Sequence, residues 1–253
     1  MICGLVLVGA PGVGSAAEIR IRATGAVQHT LIDLAAAFDK ASGHTVKAEY
    51  GTAGHVALEI AAGKLLAGKP VDLVFSSQSS LGTPEMKSRL QADAPIVLGS
   101  VRIGIGVRDG DQAPDISTPD ALKAALLAAP SFAYGDPASG ATTGIHFAKL
   151  LDSMGIAEAV RSKALLRRGG LVVMQEVADG KAAFGFTQTS EIKAVAGVKI
   201  AGYLPEQFQL VTTYAGALLR DGAESQVAAQ FLSFVTGPTG RAAFKEHGFD
   251  LPL

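Results

Sequence analysis

Apolar residues from Glu18 onward come in short runs, alternating with stretches where they recur every three or four positions. Ile19 to Ala23 is strand-like. Leu31, Leu34, Ala35 and Phe38 then share one face of a helix, which Gly43 closes. Val46 to Tyr50 followed by His55 to Ala62 repeats this β–α unit, and Val71 to Phe75 is a third apolar run rich in β-branched and aromatic residues. The pattern predicts an α/β unit with a mostly parallel sheet over the first hundred residues. A long strand, Val101 to Val107, leads into the turn-rich Gly110 to Asp120, where Ser117 or Thr118 caps a helix with Pro119 in its first turn.

A second series of the same kind follows. It comprises a strand at Phe132 to Tyr134, a helix ending near Gly155, a helix around Val172 to Ala178, and strands at Ala182 to Thr187 and Val198 to Tyr203. The strand Leu210 to Leu219 precedes helices at Glu224 to Val235 and Thr239 to His247. No low-complexity linker or fixed-period repeat separates the two series. The expectation is two lobes joined by more than one strand, residues 18–100 with 210–253 forming lobe I and 101–209 forming lobe II.

Composition narrows the class. The chain has 253 residues, 48% of them apolar, and a formal charge of −1 from 22 basic and 23 acidic residues. That balance gives no electrostatic footprint for nucleic acid or an anionic membrane. The first seventeen residues, MICGLVLVGAPGVGSAA, carry no charge and are too short and too interrupted to span a bilayer. They read as the apolar part of a signal peptide with Ser15, Ala16 and Ala17 before the cleavage point, although no Lys or Arg precedes it. A buried N-terminal strand is the other reading. Cys3, the one cysteine, lies inside this segment, so a cleaved chain has no thiol for a disulfide, nucleophile or metal site.

Four loops share one design. Thr24-Gly25-Ala26, Gly51-Thr52-Ala53-Gly54, Ser139 to Thr143 within GDPASGATTG, and Thr187-Gln188-Thr189-Ser190 each link a strand to a helix through glycines and hydroxyls. Free N–H groups and the helix dipole at such junctions favour negative charge. The same residues also make ordinary caps and turns. In open parallel sheets ligands bind beyond the carboxyl ends of strands, where such loops gather. Two loops in each half predict a small anion closed between two lobes.

With GDPASGATTG, VADGKAAFGFTQTSEI (Val177 to Ile192), PVDLVFSS (Pro70 to Ser77) and GPTGRAAFKEHGF (Gly237 to Phe249), the sequence resembles the periplasmic molybdate-binding proteins. The resemblance covers nearly the whole chain past Glu18. It implies the two-lobed type II periplasmic-binding-protein fold, each lobe a mostly parallel sheet flanked by helices, with a ligand cleft between them. It also implies a periplasmic location, an ABC-type permease as partner, a monomer and no cofactor. The pattern breaks at Ala26, where the family has a Ser; at Gly51-Thr52-Ala53-Gly54, where it has a Ser run; and at Gln188, where it has a Tyr. Two hydroxyls and a phenol are thereby lost, which moves the expected ligand from molybdate to an organic di- or tricarboxylate. The GFTQTSEI loop resembles a divergent branch whose members include aconitate isomerases, so isomerisation of an unsaturated tricarboxylate is the alternative expectation.

Arg102, in the apolar run VRIGIGV, is a candidate carboxylate clamp or a solvent-facing strand residue. Ser76 and Ser77 end a strand and offer hydroxyls. For the isomerase reading, His29, His55 and Glu191 are candidate proton carriers, with His146 similarly placed. No HExxH, paired-cysteine or calcium-loop spacing is present, so no protein-bound metal is expected, and neither GxSxG nor a P-loop occurs.

Overall fold

Strand β1 (Glu18–Thr24) sends Ile19, Ile21 and Ala23 to one side and Arg20 and Arg22 to the other, and all five are buried. Both faces of its sheet are therefore covered, as parallel sheets require. The arginines survive burial by pairing: Arg20 with Glu18 at 2.5 Å and Arg22 with Glu59 at 2.9 Å. The computed structural model describes residues 16–92 and 94–252. Of the expected leader, residues 1–17, the first fifteen, with Cys3, lie outside the described residues.

The remaining strands are β2 (Thr45–Gly51), β3 (Leu73–Ser77), β4 (Ile96–Arg108), β5 (Phe132–Gly135), β6 (Ala164–Arg167), β7 (Gly185–Gln188), β8 (Val198–Tyr203) and β9 (Val211–Leu218). Their order is β2-β1-β3-β9-β4-β7-β5-β6, with β8 also on β4. The sets β2-β1-β3 and β6-β5-β7 are parallel, and β9, β4 and β8 add antiparallel pairings. β4 belongs to both lobes: Ile96 to Arg102 pair with β9, whereas Ile103 to Arg108 pair with β7 and β8.

Each sheet carries helices on both faces. In the first lobe α1 (Gln28–Ser42) packs on one face, while α2 (Ala53–Ala61), α3 (Gln78–Leu81) and α4 (Pro84–Arg89) pack on the other. In the second, α5 (Pro119–Ala128), α6 (Thr142–Ser153) and α7 (Ala157–Val160) oppose α8 (Gly170–Ala178) and α9 (Thr189–Lys193). The C-terminal α10 (Ser225–Thr236) and α11 (Pro238–Glu246) return to the α1 face, where Phe38 meets Phe231 edge-on at 5.1 Å between ring centroids. Local signals place several ends. Gly43 closes α1 in a left-handed conformation (φ 73°), and the Thr118 hydroxyl accepts from Ala121 N–H at 3.1 Å to start α5.

The parallel strands point their carboxyl ends toward the gap between the lobes. Helices α1, α2, α6, α8 and α9 follow β1, β2, β5, β6 and β7, so their N-termini gather there. Close packing makes this possible at α6, where a Cβ on Gly144 would overlap the Gly135 carbonyl at the end of β5.

Candidate functional site

Between the lobes lies a cleft of about 640 Å³ that narrows into a recess of about 40 Å³. The recess is lined by Thr24, Gly25 and Ala26 after β1; Gly51, Thr52 and Ala53 after β2; Ala141, Thr142 and Thr143 opening α6; Gly169 and Gly170 opening α8; and Gln188, Glu191 and Tyr214. No side chain caps the 3₁₀ turn that leads into α1, nor α6, α8 or α9. The orphan N–H groups that begin helices thus collect at one point, with the positive ends of their dipoles. Thr24 Oγ1 and Gln188 Oε1 are buried without a partner, while Gln188 Nε2 donates to Thr212 Oγ1 at 3.0 Å.

The third loop and the second meet across the gap. Gly54 N–H donates to Gly140 O at 3.1 Å, and the Thr52 hydroxyl donates to Ser139 O. A Cβ on Gly54 would lie 2.8 Å from Gly140 Cα, and Gly140 is left-handed (φ 73°), so glycine suits both positions. Gly54 and Thr52 therefore spend these donors on holding the lobes together. Thr52 Oγ1 also accepts from His55 N–H at 3.2 Å, capping α2.

Glu191 changes the electrostatics of the recess. It is buried, its carboxylate accepts from the Thr187 hydroxyl at 2.5 Å, and the N–H groups of Gln188 and Gly170 lie close enough to favour its charged form. Desolvation outweighs these donors and pushes its pKa above the usual carboxylate value. The protein's own carboxyl thus occupies the junction of α8 and α9. Tyr214, from β9, brings a buried phenol whose pKa burial raises, with the Glu191 charge as a smaller cause.

The outer cleft is built differently. Gln28, Tyr50, His55 and Leu58 face it from the first lobe, and Pro137 to Gly140 with Arg168, Leu171 and Val172 from the second. Burial pushes the Tyr50 phenol up to about 12. His55 is tied to the buried Glu59, with Nε2 3.4 Å from Oε1, and Glu59 is shared with Arg22 and Lys64.

The expected residues divide accordingly. Thr24, Gly25, Ala26, Thr52, Ala53, Ala141, Thr142, Thr143, Gln188 and Glu191 line the recess; Gly54, His55, Ser139 and Gly140 line the outer cleft. Thr189, Ser190 and Ser76 are buried outside both linings, with Ser190 Oγ and Ser76 Oγ lacking partners. His29, with Nδ1 buried and unpartnered, also lies outside them. His146 Nε2 bonds to Phe208 O at 2.7 Å. Arg102 is not in the cleft: its guanidinium is exposed and 3.3 Å from Glu206. Sequence reasoning missed Tyr214, Arg168 and the Gly169-Gly170 junction. The phenol that Gln188 removes is supplied to the recess by another strand, and Thr24 supplies a hydroxyl.

Residues 19–250 match the family model described as bacterial extracellular solute-binding protein. An aconitate isomerase from Pseudomonas sp. is 30% identical over 233 residues, 91% of this chain and 86% of that protein. Among solved structures, the periplasmic molybdate-binding protein of Azotobacter vinelandii superposes with a TM-score of 0.72 at 20% identity, covering 93% of this chain and all of the other. The sulfate-binding protein SubI from Mycobacterium tuberculosis gives 0.68 at 17% identity, with 92% and 86% covered. At these identities the two structures speak for the fold alone.

Proposed function

The chain belongs to the bacterial extracellular solute-binding proteins, and we propose that it closes its lobes around a small di- or tricarboxylate in the periplasm. Membership carries with it a small anionic ligand and an ABC-type membrane permease as partner. The observation that carries the choice of ligand is the shape of the site. A water needs roughly 10–15 Å³ of such space, so a recess of about 40 Å³ seats one carboxylate-sized group. The adjoining cleft of about 640 Å³ lies within the range of organic-ligand pockets, roughly 300–1,000 Å³. A tetrahedral oxyanion would leave most of that cleft empty.

Closure follows from the donor layout. A carboxylate in the recess is held by the turn into α1 from one lobe and by the start of α6 from the other, so it favours the closed state over the open one. A thermal-shift panel tests this reading. A ligand at 100 times its Kd stabilises by about 2.7 kcal/mol, which for a domain of this size raises Tm by roughly 5–10 °C. Citrate or an aconitate isomer should produce the shift, and molybdate, tungstate and sulfate should not. A shift with the oxyanions alone would overturn the polycarboxylate reading.

Glu191 favours a second reading, an isomerase of unsaturated tricarboxylates like the Pseudomonas relative. Interconverting cis- and trans-aconitate needs a base to take a proton from the CH2 carbon and an acid to return one to the vinylic carbon, as the double bond moves one position. No oxidant enters. A buried carboxyl with a raised pKa inside the recess is suited to both steps. Proton NMR of cis-aconitate with purified protein decides: growth of the trans signals supports turnover, and an unchanged spectrum with a positive thermal shift leaves binding alone.

A further inference from the structure

We infer that Arg168 is the second anchor of this cleft, pairing with the outer carboxylate of a ligand whose first carboxylate sits in the recess. The inference rests on the polycarboxylate reading and adds what distinguishes one acid from another. Three charged side chains face the cleft and recess: Glu191, His55 and Arg168. Glu191 is in the recess and bonded to its own neighbours, and His55 is tied to Glu59. Arg168 alone is uncommitted, for among the described residues no carboxylate pairs with it, whereas its neighbour Arg167 holds Glu176 at 2.9 Å.

Its position fits the task. Arg168 is exposed, lines the cleft, and directly precedes Gly169 and Gly170, which line the recess as well. The cleft also has apolar walls from both lobes: Leu58, 72% exposed, on α2, and Leu171 with Val172, the latter 44% exposed, on α8. Exposed apolar residues on the walls of an anion site suit a hydrocarbon body and offer nothing to an inorganic oxyanion. A guanidinium fork suits a carboxylate through two parallel hydrogen bonds, and each lobe-closing movement that removes water strengthens the pair. The ligand class that follows has two carboxylates separated by a short carbon skeleton.

Isothermal titration of the intact protein tests this with tricarballylate, a saturated tricarboxylate that no double-bond shift can consume. Charge-assisted hydrogen bonds of about 1.5–3 kcal/mol correspond to roughly ten- to hundredfold in affinity. Arg168→Gln should weaken tricarballylate binding by about tenfold or more. Arg168→Lys, which keeps the charge and loses the fork, should fall between. Arg102→Gln, outside the cleft, should match the wild type. If the wild type binds tricarballylate and R168Q stays within twofold of it, the anchor is wrong and the polycarboxylate reading stands. If the wild type binds molybdate but not tricarballylate, or neither, the reading fails and the anchor with it.

Discussion

The recess and the outer cleft are parts of one cavity built by opposite means. The recess is made of main chain: glycines, alanines and threonines at helix N-termini, with Glu191, Gln188 and Tyr214 as its larger side chains. The outer cleft shares several of these glycine junctions and adds larger side chains from helices, a strand and a loop, Gln28, Tyr50, His55, Leu58, Arg168 and Val172 among them. Main-chain donors grip any carboxylate-sized group alike, whereas side chains select what is attached to it. Affinity is therefore assigned to the recess and identity to the cleft.

The largest break in that division comes from filling the recess. A Cβ on Gly170 would overlap Thr187 Oγ1 and Glu191 Oε2, both within the buried network. Gly170→Ala should abolish binding of every anion tested, a loss of about a hundredfold or more, with about 1–3 kcal/mol of overpacking lost from stability. Titration calorimetry and thermal unfolding read the two effects. Retained affinity would mean that the recess is not the seat.

Glu191→Gln separates charge from shape. The Glu191 pKa is raised in the folded protein above its ordinary 4.5, so its contribution to stability is complete below 4.5 and is lost as pH rises through the folded value. Gln has no such loss. The Tm of the variant minus that of the wild type should therefore grow as pH climbs from 4.5, and on the isomerase reading turnover should vanish. A difference that does not change with pH would show an ionised Glu191 tolerated by its donors.

Gly54→Ala acts on closure. The added methyl meets Gly140 across the lobe contact, at 2.8 Å from its Cα. Affinity should fall by about tenfold, and X-ray scattering with saturating ligand should show a more open particle than the wild type. Arg102→Gln, at an exposed surface pair, should leave affinity and Tm unmoved.

The sequence made the recess more legible than the cleft, for reasons visible in single residues. Glycines and hydroxyls between a strand and a helix mark a junction wherever both elements can be recognised, and four junctions are readable in this way. The fifth, Gly169-Gly170, follows β6, whose four residues Ala164-Leu165-Leu166-Arg167 are helix formers without a β-branched side chain. With the strand unread, its loop is unread too. Tyr214 sits in VTTYAGAL, an ordinary core strand, and packs in the core of its lobe while also lining the recess. Arg102 is a different case. Val101 and Ile103 on either side are buried, so the period of two already sends Arg102 to the opposite face. The long reach of an arginine is not enough to bring it around the strand. Arg168 and Leu58 carry no local signal, because their facing depends on how two lobes meet.

A crystal structure of the protein with tricarballylate tests the central claim most directly. It should show one carboxylate in the recess against Thr24 and Thr143, the carbon chain between Leu58 and Val172, and a second carboxylate on Arg168. Tricarballylate bound outside the cleft, or a recess holding only water beneath it, would contradict that placement.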